Sequence, residues 1–247
     1  MALEPRKLWV ETHQDEPNAT SNSVNGPVAG TRRGSMHVAP MNKPMYGPAE
    51  VGKYFVATNP TAGTGIAGIA AADGTNPLEN LISVYNTDTA AGGTRIYLDY
   101  LTLTLTAAGT NGTNLAWEAN IDDGDRYTSG GTAITETCPN MAASATASVA
   151  RHHFGALVSP AAVSARRVGS GVLRVVIGVV GDIYNFNFGG GGVAGAQGII
   201  NATAPVCMTI PVAPVVLGPG DSFLFETNAA SQSGAISWEY QLGYWEV

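Results

Sequence analysis

Between Arg95 and Thr106 the chain reads Arg-Ile-Tyr-Leu-Asp-Tyr-Leu-Thr-Leu-Thr-Leu-Thr. Alternation with a period of two puts Leu101, Leu103 and Leu105 on one side and threonine on the other, the signature of a strand with one face on a core. A helix would scatter those leucines around its axis. Related signals recur at short spacing: Lys53–Thr58, Leu81–Tyr85, Leu115–Ile121, Asp182–Phe188, Pro205–Ile210, Ser222–Thr227 and Ile236–Val247. The turn Gly109-Thr-Asn-Gly112 predicts that Leu115–Ile121 returns as the hairpin partner of the leucine strand. Gly171–Val180 is nearly all apolar, which suits a strand buried on both faces, and His152–Val158 makes one further short strand. Ala142–Ala150 has the composition of a brief helix. Eight to ten strands with almost no helix predict an all-β chain, a jelly-roll-like β-sandwich over residues 51–247.

Residues 1–50 differ in kind. They are polar and rich in Pro, Asn, Gly and Ser, with neither strand nor helix period, and Pro40–Pro48 holds three prolines that oppose helix. This composition predicts an extended N-terminal arm, unstructured on its own. Its scattered large groups, Leu8, Trp9, Met36, Met41, Met45 and Tyr46, with the Arg32 and Arg33 pair, are the expected partner-binding residues, because they gain nothing in water unless a partner or the parent domain buries them.

Charge narrows the function. The arm balances five basic against five acidic groups, while the remainder holds seven against fourteen and so carries the whole net charge of −7. An acidic body whose one lysine is Lys53 argues against nucleic acid as a partner, since phosphate binding needs clustered Lys and Arg. Only 13% of residues are charged and 45% are hydrophobic, so much of the exterior must be neutral Thr, Asn, Ser, Ala and Gly. Such a surface invites association, and a subunit covered by its neighbours accounts for it best. No apolar run approaches a membrane span, and the first residues carry no secretory h-region, so a membrane partner is not expected.

Candidate chemistry is sparse. Asp122, Asp123 and Asp125 surround Gly124 as in a cation loop, but the spacing is not that of an EF-hand, and an acidic turn between strands is the simpler expectation; no metal and no cofactor are assigned. Gly190–Gly195 matches G-x-G-x-x-G without a βαβ unit around it. His152 and His153, adjacent on a strand, point to opposite faces and cannot share a metal. Cys138 and Cys207 sit in no metal or nucleophile motif, and whether they are bridged stays open. Glu226 and Glu239 are one conceivable glycosidase pair among many scattered acids. Trp117, Trp238, Tyr240, Tyr244 and Trp245 suit either a sugar platform or a sandwich core; Trp238, Tyr240 and Leu242 share one face, and Gly243 predicts a bulge that shifts Tyr244 and Trp245. An enzyme is not expected.

The C-terminal third, Pro211-Val-Ala-Pro-Val-Val-Leu-Gly-Pro-Gly-Asp-Ser-Phe-Leu-Phe-Glu226 with the aromatic strand ending at Val247, resembles the closing strands of jelly-roll virion proteins of tailed bacteriophages. Similar wording occurs in trimeric heads of the tumour-necrosis-factor kind. The resemblance implies a capsid decoration or cement protein, or a head or tail accessory protein, located in the virion. Its implied partners are the major capsid protein or other virion subunits and itself, as a homotrimer. A carbohydrate- or receptor-binding module is the alternative, and a glycan hydrolase a third.

Overall fold

A computed structural model describes residues 29–30, 36–37, 46–69, 81–142, 147–158, 165–190 and 204–247. Within the first unit, Met1–Lys43, β1 (Ala29–Gly30) pairs antiparallel with β2 (Met36–His37). The second unit, Pro44–Val247, opens with α1 (Tyr46–Glu50), β3 (Tyr54–Thr58), β4 (Ile66–Ala67) and β5 (Ile82–Asn86). Next come β6 (Ile96–Ala107), β7 (Thr113–Asp122), β8 (Ser129–Ile134), β9 (Glu136–Thr137), β10 (Ala150–Val158) and β11 (Arg166–Val176). The unit closes with β12 (Ile183–Phe188), β13 (Cys207–Val212), β14 (Val216–Leu217), β15 (Ser222–Ala230) and β16 (Ser237–Glu246).

These strands form two sheets, β11-β7-β15-β5-β10-β8 and β13-β12-β6-β16-β3-β9, with β14 on β6 and β4 on β16 in the larger one. Eight of them wrap as a jelly roll. In chain order these are β3, β5, β6, β7, β11, β12, β15 and β16, and the first pairs with the last, the second with the seventh, the third with the sixth and the fourth with the fifth, each antiparallel. The expected jelly-roll sandwich is thus the observed fold. The insertion between β7 and β11 adds β8 and β10 to the smaller sheet and β9 to the larger, and only Thr135 separates β8 from β9, so the chain turns the corner between the sheets there.

The core lies between the sheets. Leu101, Leu103 and Leu105 are fully buried, as are Trp238, Tyr240 and Leu242, confirming both alternations. Rings interlock across the gap: Phe186 meets Trp117 at 5.0 Å and Phe225 at 4.9 Å edge to face, and Phe154 lies 4.7 Å from Tyr240. The register of β16 against β6 shifts at Gly243 and Tyr244, the predicted bulge.

A buried ion pair stitches one side. Arg174 Nε and Asp182 Oδ2 stand 2.9 Å apart with both side chains fully buried. Asp182 also accepts from Tyr184 Oη and from the Val179 and Val206 amides, while Arg174 donates to the Ala204 carbonyl. The carboxylate thus holds the turn before β12 and the approach to β13 at once.

Four local expectations are corrected. The leucine strand and Leu115–Ile121 form no hairpin, because β12 and β16 occupy both edges of β6; the chain crosses at Gly109–Gly112 and β7 joins the other sheet. The apolar run around Gly171 is an edge strand rather than one buried on both faces, since β11 pairs with β7 alone and Val172 stays 48% exposed. Tyr46–Glu50 is a helical turn despite Pro48, whose missing N–H falls among first-turn donors that lack helical partners anyway. The described residues of Ala142–Ala150 are not helical, and Ala150 begins β10.

Candidate functional site

The outer face of the larger sheet is built from the alternate residues of five strands. Where Leu101, Leu103 and Leu105 point inward, Thr102, Thr104 and Thr106 must point outward, and the registers place Gln241 beside Thr102 and Glu239 beside Thr104. Asn185 of β12 also lies opposite Thr102, and Thr209 of β13 lies opposite Asn185. The side chains connect as the register demands: Thr102 Oγ1 donates to Asn185 Oδ1 at 2.9 Å, and Asn185 Nδ2 reaches Cys207 Sγ at 3.7 Å.

Aromatic residues gather at one end of this face. Trp245 stacks on Tyr97 with centroids 5.6 Å apart and planes 5° from parallel. Tyr54 pairs with Trp245 in register and donates its hydroxyl to Asp99 at 2.8 Å. Burial, with help from the Asp99 carboxylate, pushes the Tyr54 phenol well above its ordinary value, so it stays a neutral donor. Gly243 makes the arrangement feasible, because a Cβ there would meet the Tyr100 ring and the Tyr54 hydroxyl inside contact distance. Two acids, Asp99 and Glu239, lie on this face, and Glu239 accepts from the Gly63 amide at 3.1 Å. Of the seven basic residues of the body only Arg95 borders this face, one residue before Ile96 and backbone-paired with Val247 at the aromatic end.

The smaller sheet presents different chemistry. Arg167 reaches Glu118 at 2.6 Å, Arg151 reaches Asp125 at 2.5 Å, and His153 lies under Tyr127 with centroids 3.6 Å apart. Glu226 is buried opposite Glu118 in register. Glu239 belongs to the other sheet, so the conceivable glycosidase pair is not brought together.

The acidic turn is engaged internally. Asp122 receives both Nε and Nη2 of Arg126 at 2.8 Å and the Asp123 amide at 2.7 Å, while Asp125 caps the Tyr127 amide and pairs with Arg151. Burial opposes the Asp122 charge, but Arg126 and the Asp123 amide outweigh it and hold the carboxyl below its usual range. Among the described residues no group of three or more His, Cys, Asp or Glu is placed to hold a metal. A cleft of about 200 Å³ opens beside the turn, lined in part by Asp123, Arg166 and Asp221.

His152 and His153 take opposite faces, as their adjacency requires. His152 faces the core, where its Nε2 lies 3.0 Å from Tyr244 Oη; that hydroxyl meets Ser148 Oγ at 2.7 Å, which donates to Glu246 Oε1 at 2.6 Å. Burial, then the neighbouring His153, lowers His152 to about 3. Cys138 and Cys207 are free thiols.

Of the residues expected to bind a partner, Leu8, Trp9, Arg32, Arg33, Met41 and Met45 lie outside the described residues, as does most of the glycine loop at 190–195. Met36 is described as part of the β1–β2 pair, and Tyr46 lies in α1, 55% exposed. Trp117 is buried in the core, so the aromatic residues of the outer face are Trp245 and the tyrosines around it. Tyr54, Tyr97 and Tyr100 are the aromatic residues that sequence reasoning misses: Tyr100 is in outward phase with the buried leucines, but Tyr97 shares the leucines' parity and turns outward only because the register shifts between Leu98 and Tyr100. No family model, curated protein or solved structure matches the chain.

Proposed function

We propose that this chain is a structural assembly protein of a bacteriophage particle, a capsid decoration or cement subunit. It works by adhesion: the N-terminal arm ties onto neighbouring virion subunits while the jelly roll associates through its surface. The observation that carries this reading is the outer face of the larger sheet, where tyrosine and tryptophan stand among threonine and amide side chains with two acids and, at its edge, one base, Arg95. Charge depletion with aromatic enrichment is the composition of protein interfaces. The polar groups that could carry chemistry elsewhere are already engaged in structural bonds, as at Asp122, Asp182 and Glu246.

The carbohydrate-binding alternative has one foothold, the Tyr97–Trp245 stack. Hydrogen exchange on the purified chain, with its mass recorded by light scattering, separates the two. Free exchange over residues 1–43 with a protected sandwich in an oligomer supports the assembly reading. Protection of that segment in a monomer sinks it, and binding on a glycan array then carries the alternative.

A further inference from the structure

We infer that the outer face of β13, β12, β6, β16 and β3 is where one copy of this chain docks on another. The inference rests on the assembly reading and assigns it a surface and a partner. Three observations select a second copy. The body's seven basic and fourteen acidic groups give it a net −7, so two copies repel least through a surface that carries few of those charges, and this face carries two of the fourteen acids. Asp99 and Glu239, the acids on this face, each already hold an internal donor, at 2.8 Å and 3.1 Å. Each carboxylate therefore keeps one donor when the face closes.

The third observation is self-complementarity. Hydroxyl and amide side chains are donors and acceptors at once, so Thr102, Thr104, Asn185, Thr209 and Gln241 can satisfy their counterparts on an identical face. Tyr97, Tyr100 and Trp245 supply the aromatic anchors such contacts concentrate on. The size also fits. The five strands have 6, 6, 12, 10 and 5 residues. At about 4.8 Å between strands and about 3.4 Å per residue, they cover roughly 650 Å² in projection. Side-chain relief brings that near the ~800 Å² each partner buries in a standard interface.

Thr102 and the exposed Gln241 sit side by side at the middle of the face, so the test places arginine there. Light scattering on the eluting full-length protein at about 10 µM should give a multiple of 25.4 kDa for the parent chain. Thr102→Arg and Gln241→Arg should each weaken association at least ~100-fold by forcing a large charged side chain to be dried at the centre of the contact, with thermal unfolding of the variants certifying the fold. Ser170→Arg, on the exposed outer side of the smaller sheet, should leave the oligomer intact. A parent chain of 25.4 kDa, or an oligomer indifferent to both arginines, overturns the inference. An oligomer that resists both while residues 1–43 exchange freely keeps the assembly reading and moves its interface elsewhere. A monomer with that segment protected ends both, and glycan binding abolished by the same arginines assigns the face to sugar.

Discussion

Asp182→Asn removes one charge from the interior while conserving shape. In the parent protein the carboxylate takes Arg174 Nε at 2.9 Å, Tyr184 Oη at 3.0 Å and the Val179 and Val206 amides at 2.9 Å each. An asparagine keeps one acceptor and turns an NH₂ toward groups that are themselves donors. Arg174, fully buried, then retains its charge without the counter-charge. Removing one partner of a buried pair costs about 3–5 kcal/mol, and an orphaned amide about 1–3 more, though terms sharing one site do not simply add. A loss of about 4 kcal/mol is expected, which for a domain of this size lowers the melting temperature by roughly 8–16 °C. Urea unfolding at unchanged slope measures it directly. Arg174→Met should cost less, because Asp182 keeps three of its donors, and the double variant should lose less than the sum of the two single changes. A loss for Asp182→Asn below about 1 kcal/mol would refute the claim that this pair anchors both β12 and the approach to β13.

Two pH effects run in opposite directions. His152, at about 3 in the fold against 6.5 unfolded, contributes stability that is fully present above pH 6.5 and is lost as pH falls toward 3. At pH 5 that loss is roughly 2 kcal/mol, and His152→Gln should remove it from the difference in melting temperature between pH 7 and pH 5; an equal difference in the variant refutes the assignment. Glu246 is raised by burial, against the lowering effect of Ser148, the Val149 amide and Lys53, so its contribution is greatest at acid pH and declines as pH rises through the glutamate range. Glu246→Gln should therefore gain on the parent protein between pH 4 and pH 7, and a constant offset between their stability curves would count against it. Asn140 donates to the Ala49 and Glu50 carbonyls at 2.9 Å and 3.0 Å, satisfying the end of α1. Asn140→Ala should speed hydrogen exchange at residues 51–53 while lowering global stability by only about 1–2 kcal/mol, and unchanged exchange there would contradict that role.

Local pattern made some elements legible and pairing hid others. The Leu-Thr alternation of β6 and the Trp238, Tyr240 and Leu242 phase of β16 can be read one strand at a time, because burial of one face is a property of the strand itself. Which strand lies alongside is not. Gly109–Gly112 looks like any hairpin turn, and only the occupation of both β6 edges by residues 183–188 and 237–246 sends β7 across the sandwich. The same limit misled the reading of β11, whose apolar run says that side chains want cover but not that one strand edge stays open. The parallel pairing of β12 and β13 has no local mark at all. The outer face was half visible: its threonines follow from the leucines, whereas Tyr54, Tyr97 and Trp245 meet only because β3, β6 and β16 do.

The jelly-roll connection sorts chemistry by strand order. The first, third, sixth and eighth strands belong to the larger sheet, and their outward positions hold neutral polar and aromatic groups with two acids, Asp99 and Glu239. The fourth and fifth strands, with the insertion between them, carry Glu118, Arg167, Asp125, Arg126 and Arg151 to the smaller sheet's side. If copies met through that side, the Arg167–Glu118 and Arg151–Asp125 pairs, now in contact with water, would have to be dried. Desolvating an ion pair can cost more than its own attraction returns. Contact through the larger sheet dries no ion pair, only the carboxylates of Asp99 and Glu239, each of which keeps one donor within the subunit. Between two faces of one acidic body, the one with fewer charged groups to dry is the one on which identical copies should meet.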